Sequence, residues 1–298
     1  MSLVKGQQVL EFARQSRFAV GSFNADNMEV MQAIIETAKE ERAPVILQLG
    51  PKNIGYAGLA MIAGMAKIAA AQVDVPVALH LDHGTGFEQN LQCLCLGFTS
   101  LMFDGSKLPY EENVAMTAKI AEIAHIADVQ LEAELGQVLQ TGATPEAVRA
   151  AMTDPDQARD FVKHAHCDSL AVAVGSIHQM RDRGADLDIA RIRAIYDRVH
   201  IPLVLHGASG VKHECLAEAI EAGVTKINVA TYIKDGFVSQ LRKVMAEKPD
   251  ECDVRVLFGP AREAAKECVR EKIRVFGSSN RISSSGAFVS ATIQHAAR

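Results

Sequence analysis

The chain has 298 residues and a formal net charge of −5. Hydrophobic residues make up 48% of it and charged residues 22%, and these fractions are typical of a globular protein with a large core, which excludes disorder for most of the chain. The acidic balance argues against a nucleic-acid-binding protein, because neutralising many phosphates requires a dense Lys/Arg surface. The length allows a single α/β barrel of about 250 residues.

No targeting or membrane segment is indicated by the sequence. The N-terminus lacks the apolar core of a signal peptide, and no run approaches the ~18 consecutive apolar residues of a membrane helix. We therefore expect a cytoplasmic protein with neither a membrane nor a nucleic acid among its partners.

Eight short apolar runs rich in β-branched residues recur along the chain, and most of them end in a small or polar residue. They are Phe18–Phe23, Pro44–Gly50, Pro76–His83, Ser100–Asp104, Val129–Leu135, Ser169–Gly175, Pro202–His206 and Lys226–Thr231. Helix-forming stretches with apolar spacing near 3.6 separate them. This alternation predicts a parallel sheet, and eight units of this size predict an α/β fold of the (β/α)8 TIM-barrel class, closed and forming one domain.

The predicted helices begin after the first strand and continue beyond the last. They are Asn27–Glu41, Leu59–Val73, Phe87–Leu96, Glu111–Ile126, Pro155–His164, Ile189–Arg198, Glu214–Ala222, and then Lys234–Glu247 and Pro260–Val275 as extra C-terminal helices. The stretch from Gln137 to Asp154 interrupts the alternation of strands and helices, and it predicts a long loop over the site. The barrel and its C-terminal helices are expected to occupy 1–277, and 278–298 to form a flexible tail.

Polar side chains at the ends of several predicted strands are the candidate functional residues. In a (β/α)8 barrel the carboxyl ends of all strands meet at one mouth, so distant residues converge there. His83, His178 and His206 follow three different strands. Three imidazoles with one open position are the ligand set of a catalytic zinc site, so these residues predict one.

Carboxylates accompany these histidines. Asp82 directly precedes His83 and suits a general acid/base, although orienting a histidine is the alternative role. Asp104 and Glu134 end the fourth and fifth strands. Either could ligate a second or displaced metal, accept a histidine N–H, or simply supply charge at the mouth.

The last two strands are followed by small and hydroxyl residues. These are Gly207, Ala208 and Ser209 after the seventh strand, and Asn228, Val229, Ala230 and Thr231 at the eighth. Barrels often hold a phosphate at this place, because backbone N–H groups can approach its oxygens closely. The sequence therefore predicts a phosphate-binding turn.

Taken in order, these motifs resemble the class II (zinc-dependent) fructose-bisphosphate and tagatose-bisphosphate, or ketose-bisphosphate, aldolase family. The matching segments span nearly all of residues 1–277 and are Phe23-Asn24, Leu79–Gly84, Met102–Ser106, Glu132–Gly136, Ala171–Gly175 running to His178, Leu205–Gly210 and Lys226–Thr231.

The resemblance implies an enzyme, a carbon–carbon lyase of carbohydrate metabolism. It implies Zn2+ on His83, His178 and His206, with Asp104 and Glu134 at a second or displaced metal position. Asp82 would exchange the proton of the hydroxyl on the carbon at which the bond breaks. The enzyme would act on a phosphorylated sugar and release dihydroxyacetone phosphate plus an aldehyde.

The resemblance further implies a set of substrate-binding residues and an assembly. The set comprises Asn24, Gln179, Gly207, Ala208, Ser209, Asn228, Val229, Ala230, Thr231 and Arg255. A monovalent cation, Na+ or K+, would lie near the phosphate. A homodimer or homotetramer is implied, in which Arg255 could reach a neighbouring subunit.

Three departures from the family pattern suggest an unusual substrate. Gln179 stands where family members usually have Gly, Gly50 stands where fructose-bisphosphate members often have Ser, and the loop after the fifth strand lacks its usual acidic residue, with Glu146 a substitute only if the loop folds inward. We hypothesise that the distal group is a phosphate, sulfonate or carboxylate, and that it is recognised by Gln179, Lys52, Arg181 and Arg183.

The residues are also compatible with two other functions. The chain could be a non-catalytic paralogue that binds metal and phosphorylated sugar, or another zinc lyase or hydrolase on the same barrel, since a fold alone does not fix a function.

Overall fold

A computed structural model describes residues 3–180 and 184–288. Its eight strands are all parallel and close into a barrel in chain order, as predicted. They are β1 (Val20–Asn24), β2 (Val45–Leu49), β3 (Val77–Leu81), β4 (Ser100–Phe103), β5 (Gln130–Leu135), β6 (Ser169–Val172), β7 (Leu203–Leu205) and β8 (Val224–Val229). The TIM-barrel prediction is therefore confirmed.

Helices surround the barrel, and most of them connect successive strands, while α1 precedes β1 and α11 and α12 follow β8. They are α1 (Gly6–Ser16), α2 (Met28–Glu40), α3 (Pro51–Ala57), α4 (Leu59–Ala71), α5 (Phe87–Cys95), α6 (Tyr110–Ile126), α7 (Pro145–Ala150), α8 (Pro155–Ala165), α9 (Ile189–Val199), α10 (His213–Glu221), α11 (Thr231–Glu247) and α12 (Val254–Val275). Apart from α1 and α7, their apolar faces pack on the outward residues of the strands and form one continuous core. This core fixes the strands that carry the polar mouth residues.

Helix α1, which was not among the predicted helices, covers the amino-terminal end of the barrel. Val9 and Leu10 pack on Ile46 and Ala78 from the strands. A Cβ added to Gly6 would lie 2.5 Å from Gln130 Oε1, so only glycine permits this close approach. With this end closed, the opposite mouth is the open one.

Several predicted bounds differ from the structure: α3 lies in a segment for which no helix was predicted, and α11 begins at Thr231 instead of Lys234. The predicted loop Gln137–Asp154 contains α7, which begins after Thr144, whose hydroxyl accepts the Ala147 N–H at 3.2 Å. Helix α12 begins at Val254, with Pro260 inside it. Proline favours a helix start because it lacks an N–H, and that preference placed the predicted boundary too late.

The first part of the predicted tail packs on the barrel. Asn280 N donates to Glu41 O at 2.7 Å, Ile282 is buried, and the Phe288 ring lies 4.4 Å from that of Phe12. The remainder of the predicted tail, 289–298, lies outside the described residues. Within the described residues no single helix is long and apolar enough to cross a membrane, whereas the bent pair α3 and α4 passes that test together.

Candidate active site

His83 leaves the end of β3 in a left-handed backbone conformation, with φ of 51°. Gly84 follows it, and a Cβ at Gly84 would lie 2.2 Å from Met102 O. The backbone therefore passes so close to β4 that only glycine fits. This tight turn directs the His83 imidazole across the mouth of the barrel.

The imidazoles of His83, His178 and His206 converge at the mouth. Their ring centroids lie 5.5 Å (His83 to His178), 4.7 Å (His83 to His206) and 6.2 Å (His178 to His206) apart. One nitrogen from each lies within 4.8 Å of the other two. The three nitrogens are close enough to share one metal ion.

Two of these imidazoles contact a carboxylate through the nitrogen on their far side. His83 Nδ1 lies 2.7 Å from Asp104 Oδ2, and His206 Nε2 lies 3.0 Å from Glu132 Oε1. The facing nitrogens, His83 Nε2 and His206 Nδ1, are 3.2 Å apart. Metal-binding histidines typically donate their other N–H to a carboxylate, so this arrangement fits a metal centre.

A second group of candidate ligands shares His83. Asp104, Glu134 and His83 each offer an atom within 4.8 Å of the others. Glu134 Oε2 is buried and has no hydrogen-bond partner in the described chain. An unpartnered buried carboxylate oxygen is costly, and a cation at this position would relieve that cost.

The pKa values of the three histidines differ. Burial, followed by the charge on His83, lowers the pKa of His178 to about 4, and burial lowers that of His206 well below its usual value. Burial also lowers the pKa of His83, but Asp82, Asp104 and Glu134 outweigh it and raise the value to about 10. His178 and His206 are thus neutral, the state in which an imidazole can ligate a metal, whereas His83 would first have to release a proton.

The two carboxyl groups beside His83 are shifted in opposite directions. Burial, followed by the nearby charge of Asp104, raises the pKa of Glu134 to about 8. Burial alone would raise the pKa of Asp104, but the hydrogen bond with His83 and the positive charge of that ring lower it below its usual value. Asp104 is therefore the carboxylate that balances the charge of His83.

Asp82 is buried at the end of β3 and is held by two amides. Asn228 Nδ2 donates to Asp82 Oδ1 at 3.0 Å, and Gln48 Nε2 lies 3.4 Å from Asp82 Oδ2. Gln48 also donates to Asn24 Oδ1 at 2.5 Å. Asp82 Oδ1 lies 4.0 Å from His83 Nε2, so the carboxylate stands beside the place where the histidines meet.

The predicted phosphate-binding turn has a compact geometry. Gly207 adopts φ of 67°, and a Cβ there would lie 2.9 Å from the Ile177 carbonyl. A single 3-10 turn, Ala208–Gly210, follows it. Ser209 Oγ accepts the Tyr232 N–H at 3.4 Å, which brings this turn against the start of α11.

The predicted eighth-strand residues lie beside that turn. Asn228 and Val229 are buried at the end of β8, Ala230 precedes α11, and Thr231 begins it. The structure therefore brings the two predicted phosphate segments together.

Gln179 adopts a left-handed backbone conformation, with φ of 64°. Its neighbour His178 forms backbone hydrogen bonds with the loop after β5, donating to Leu139 O at 2.8 Å and accepting from Thr141 N at 3.0 Å. The segment after β6 is thus tied to that loop, and Gln179 has a backbone conformation that glycine adopts without strain.

Some candidate residues are not brought to this cluster. Arg255 is 88% exposed at the start of α12 and pairs with Asp253, and within 3–180 and 184–288 it has no hydrogen bond with the other candidates. The side chain of Glu146 is 76% exposed and pairs with Arg149, so it does not fold inward. Lys52 is exposed on α3. Arg181 and Arg183 lie outside the described residues.

Sequence reasoning assigned no role to Glu132, Gln48 or Lys226, all of which are buried and bonded to one another or to site residues. Their position in the strands could have revealed them. Side chains in a strand alternate between its faces, so Lys226 shares a face with Asn228, and Glu132 shares one with Glu134.

Comparison with known proteins identifies the family of the chain. Residues 4–281 match the family model described as fructose-bisphosphate aldolase class-II. The chain is 41% identical to a Bacillus subtilis protein named "Probable fructose-bisphosphate aldolase", over 94% of this chain and 99% of the relative. It is 37% identical to a fructose-bisphosphate aldolase of Helicobacter pylori J99, over 94% and 100%.

A solved structure has the same fold. The YdjI aldolase of Escherichia coli K12 superimposes with a TM-score of 0.79 at 31% identity, over 93% of this chain and 98% of that one. A family match that covers nearly the whole chain, together with these relatives, establishes an aldolase, a carbon–carbon lyase. The chain belongs to the class II fructose-bisphosphate aldolase family.

Proposed function

We propose that the protein is a zinc-dependent aldolase that cleaves or forms the carbon–carbon bond of a phosphorylated ketose, with dihydroxyacetone phosphate and an aldehyde as the two fragments. The observation that carries this proposal is the convergence of His83, His178 and His206 within 4.8 Å, with Asp82 Oδ1 4.0 Å from His83 Nε2. A metal-ligand set and a carboxylate able to transfer protons thus share one place in the mouth.

The side chains present fit Zn2+. Three imidazoles that leave one position open are a catalytic zinc set, and class II aldolases are zinc-dependent in general. The carboxylate contacts on the far nitrogens of His83 and His206 are the arrangement that such ligands require. When bound there, zinc would act as a Lewis acid on the oxygens of the ketone half of the substrate.

Asp82 is the group that we assign to proton transfer. In cleavage it takes the proton of the hydroxyl group on the carbon at which the bond breaks. The oxygen of that hydroxyl group becomes the aldehyde carbonyl oxygen. The electron pair of the broken carbon–carbon bond passes to the ketone half, which later takes up a proton and leaves as dihydroxyacetone phosphate. Asn228 and Gln48 hold the Asp82 carboxylate in place for this transfer.

The phosphate end is assigned to the turn after β7 and to the end of β8. Gly207, Ala208 and Ser209 offer backbone N–H groups and a hydroxyl, and Asn228–Thr231 face them across the adjacent strand end. Amides without bulky side chains can approach phosphate oxygens closely. A monovalent cation near the Gln179 carbonyl is part of the same proposal, and the left-handed backbone of Gln179 is the observation that supports it.

The distal group of the substrate is proposed to be anionic, with phosphate, sulfonate and carboxylate as the chemical classes. Four residues would recognise it: Gln179, Lys52, which is exposed on α3, and Arg181 and Arg183. Of the two acidic residues within 137–154, Glu146 is exposed and Asp154 caps α8. Neither residue therefore takes the place of the acidic residue that family members usually have in this loop.

The test is condensation of dihydroxyacetone phosphate with a panel of phosphorylated, sulfonated and carboxylated aldehydes, using zinc-loaded protein with and without a chelator. We expect condensation that the chelator abolishes. Asp82→Ala should keep its zinc and lose at least about 100-fold in turnover, the usual contribution of general acid–base catalysis. Zinc binding without condensation would indicate a non-catalytic binder, and release of inorganic phosphate a hydrolase. Either result would overturn the proposal.

A further inference from the structure

A fully buried ion pair lies inside the barrel, below the histidine cluster. Lys226 Nζ lies 2.8 Å from Glu132 Oε2, and the two side chains are 1% and 0% exposed. Lys226 is on β8 and Glu132 on β5, and these strands are not neighbours in the barrel. Their side chains can therefore meet only across its interior.

Both partners of this pair make further polar contacts. Lys226 Nζ lies 3.2 Å from His80 Nε2, and His80 Nδ1 lies 2.7 Å from Ser100 Oγ. The second oxygen of Glu132, Oε1, lies 3.0 Å from His206 Nε2. Through Glu132, the ion pair thus contacts His206, one of the three converging imidazoles.

Stability alone gives little reason to keep such a pair. Removing two charges from water costs several kcal/mol per ion, and apolar residues of similar volume often replace a buried pair with no loss of stability. A carboxylate ion-paired to an ammonium is, however, a strong and fixed hydrogen-bond acceptor. A fixed acceptor of this kind is useful where the donor that it faces must be held in one orientation and one protonation state.

We propose that Glu132, fixed by Lys226, is a positioning residue that holds His206 with its proton on Nε2 and its Nδ1 lone pair directed at the site of the metal. This inference rests on the proposed zinc site. A neutral imidazole carries one N–H, and the nitrogen with the closer acceptor is the one that carries it: Nε2 lies 3.0 Å from Glu132 Oε1, whereas Nδ1 lies 3.5 Å from Glu134 Oε2. Nδ1 is then unprotonated, and it lies 3.2 Å from His83 Nε2.

The neighbouring amide supports this assignment. Asn228 Nδ2 lies 3.1 Å from His206 Nε2 and 3.0 Å from Asp82 Oδ1. If this amide donated to an unprotonated Nε2, Glu132 Oε1 would face a nitrogen lone pair at 3.0 Å, which is repulsive. Donation by Asn228 to Asp82 and by His206 to Glu132 satisfies both carboxylates.

The experiment measures zinc affinity and folding separately. Glu132→Gln keeps the shape of the side chain but removes its charge, and we expect the zinc dissociation constant, measured by chelator competition, to rise 10- to 100-fold. Ser169→Ala is the matched control, because Ser169 is equally buried in the next strand and contacts Gln130, not His206. Its zinc affinity should equal that of the wild type.

A double variant separates positioning from charge burial. Lys226→Met alone leaves an unpaired buried carboxylate and should lower the melting temperature sharply. Adding Glu132→Gln removes that charge, so the melting temperature should recover while zinc affinity stays 10- to 100-fold weaker than in the wild type. The Co2+-loaded double variant should also show a shifted d–d absorption spectrum. Recovery of zinc affinity together with stability would show that the pair acts only on folding, and would overturn the inference.

A measurement on the wild type does not depend on any variant folding. In metal-free protein labelled with 15N-histidine, the His206 side chain should give a protonated Nε2 and an unprotonated Nδ1, and Nδ1 should be the nitrogen shifted by zinc. Protonation on Nδ1 would overturn the inference while leaving the zinc site intact. Absence of zinc binding by the wild type would instead refute the proposed function.

Discussion

Gly50 is the residue at which the site departs most directly from the family pattern that the sequence suggested. It has φ of −94° and ψ of 173°, an extended conformation that any residue adopts. A Cβ placed there would lie 3.4 Å from Asp82 O and 3.6 Å from Asp82 Oδ2. A side chain at this position would therefore lie at the edge of the reacting centre without serious steric conflict.

We expect Gly50→Ser to change which substrate the enzyme prefers. The new hydroxyl would stand beside Asp82, where it could donate to an anionic group of the substrate. A hydrogen bond to a charged group contributes about 1.5–3 kcal/mol, so kcat/KM for fructose 1,6-bisphosphate should rise by about tenfold or more relative to the wild type. Gly50→Ala is the control, since it adds only the Cβ, and an equal gain in that variant would contradict the role of the hydroxyl.

For single residues, the sequence predicted which side chains belong to the site better than it predicted which side chains contact one another. His83, His178, His206 and Asp82 were predicted because each follows a strand, and the structure brings them together. The contact between Glu132 and Lys226 could not be predicted, because it joins β5 to β8 across the interior, and such a contact depends on how a barrel closes. The expected inward role of Glu146 depended on a loop conformation that residue types do not specify.

Among the helices, α2 and α12 are joined by a buried carboxylate at the end of α2. Glu41 accepts hydrogen bonds from Arg274 at 2.7 Å, Arg270 at 3.1 Å and Ser279 at 2.7 Å. Burial raises the pKa of Glu41, but the bonds from Arg274, Ser279 and Arg270 outweigh it and lower the value from 4.5 to about 2. This carboxylate therefore helps to hold α12 against the barrel.

We expect Glu41→Gln to lower the free energy of unfolding by about 1.5–3 kcal/mol at neutral pH, because buried hydrogen bonds to a charged group are lost. The folded protein keeps Glu41 ionised at a pH where the unfolded chain protonates it. Its contribution is therefore complete above pH 4.5, and it is lost as the pH falls towards 2. Urea denaturation of the wild type and the variant at several pH values measures this difference.

Glu267→Gln is the matched control on the same helix. Glu267 also pairs with Arg270, at 3.3 Å, but its side chain is 71% exposed. Exposed ion pairs contribute about 0–1 kcal/mol, so this variant should unfold nearly like the wild type at every pH. A Glu41→Gln deficit that stays constant down to pH 3 would refute the linkage to ionisation.

The elements themselves were largely predictable, and the exceptions have physical causes. Short apolar runs rich in β-branched residues, separated by stretches with apolar spacing near 3.6, placed all eight strands, because the parallel strands of a barrel are buried on both faces. The short helix α7 has no buried residues, so it leaves no apolar pattern in the sequence. Helix α12 contains Pro260, so a rule based on local residue preference misplaced its start.

For the whole molecule, the position of Arg255 bears on how subunits are arranged. In the single chain it is 88% exposed, at the start of α12, and pairs only with Asp253 among the described residues. We propose that in a homo-oligomer this guanidinium completes the site of a neighbouring subunit, where it recognises the distal anion. The planar fork of Arg suits such a group.

This arrangement predicts complementation between two inactive variants. Arg255→Ala should weaken binding of the anionic substrate, and Asp82→Ala should abolish proton transfer. When the two are dissociated, mixed and reassembled, each mixed pair contains one site with Asp82 from one chain and Arg255 from the other. Activity should therefore rise well above that of either variant alone, as measured by aldehyde release. Mixtures with no gain, although mixed oligomers form, would place Arg255 in its own subunit's site or outside any site, because a residue acting within its own chain cannot be supplied by a neighbour.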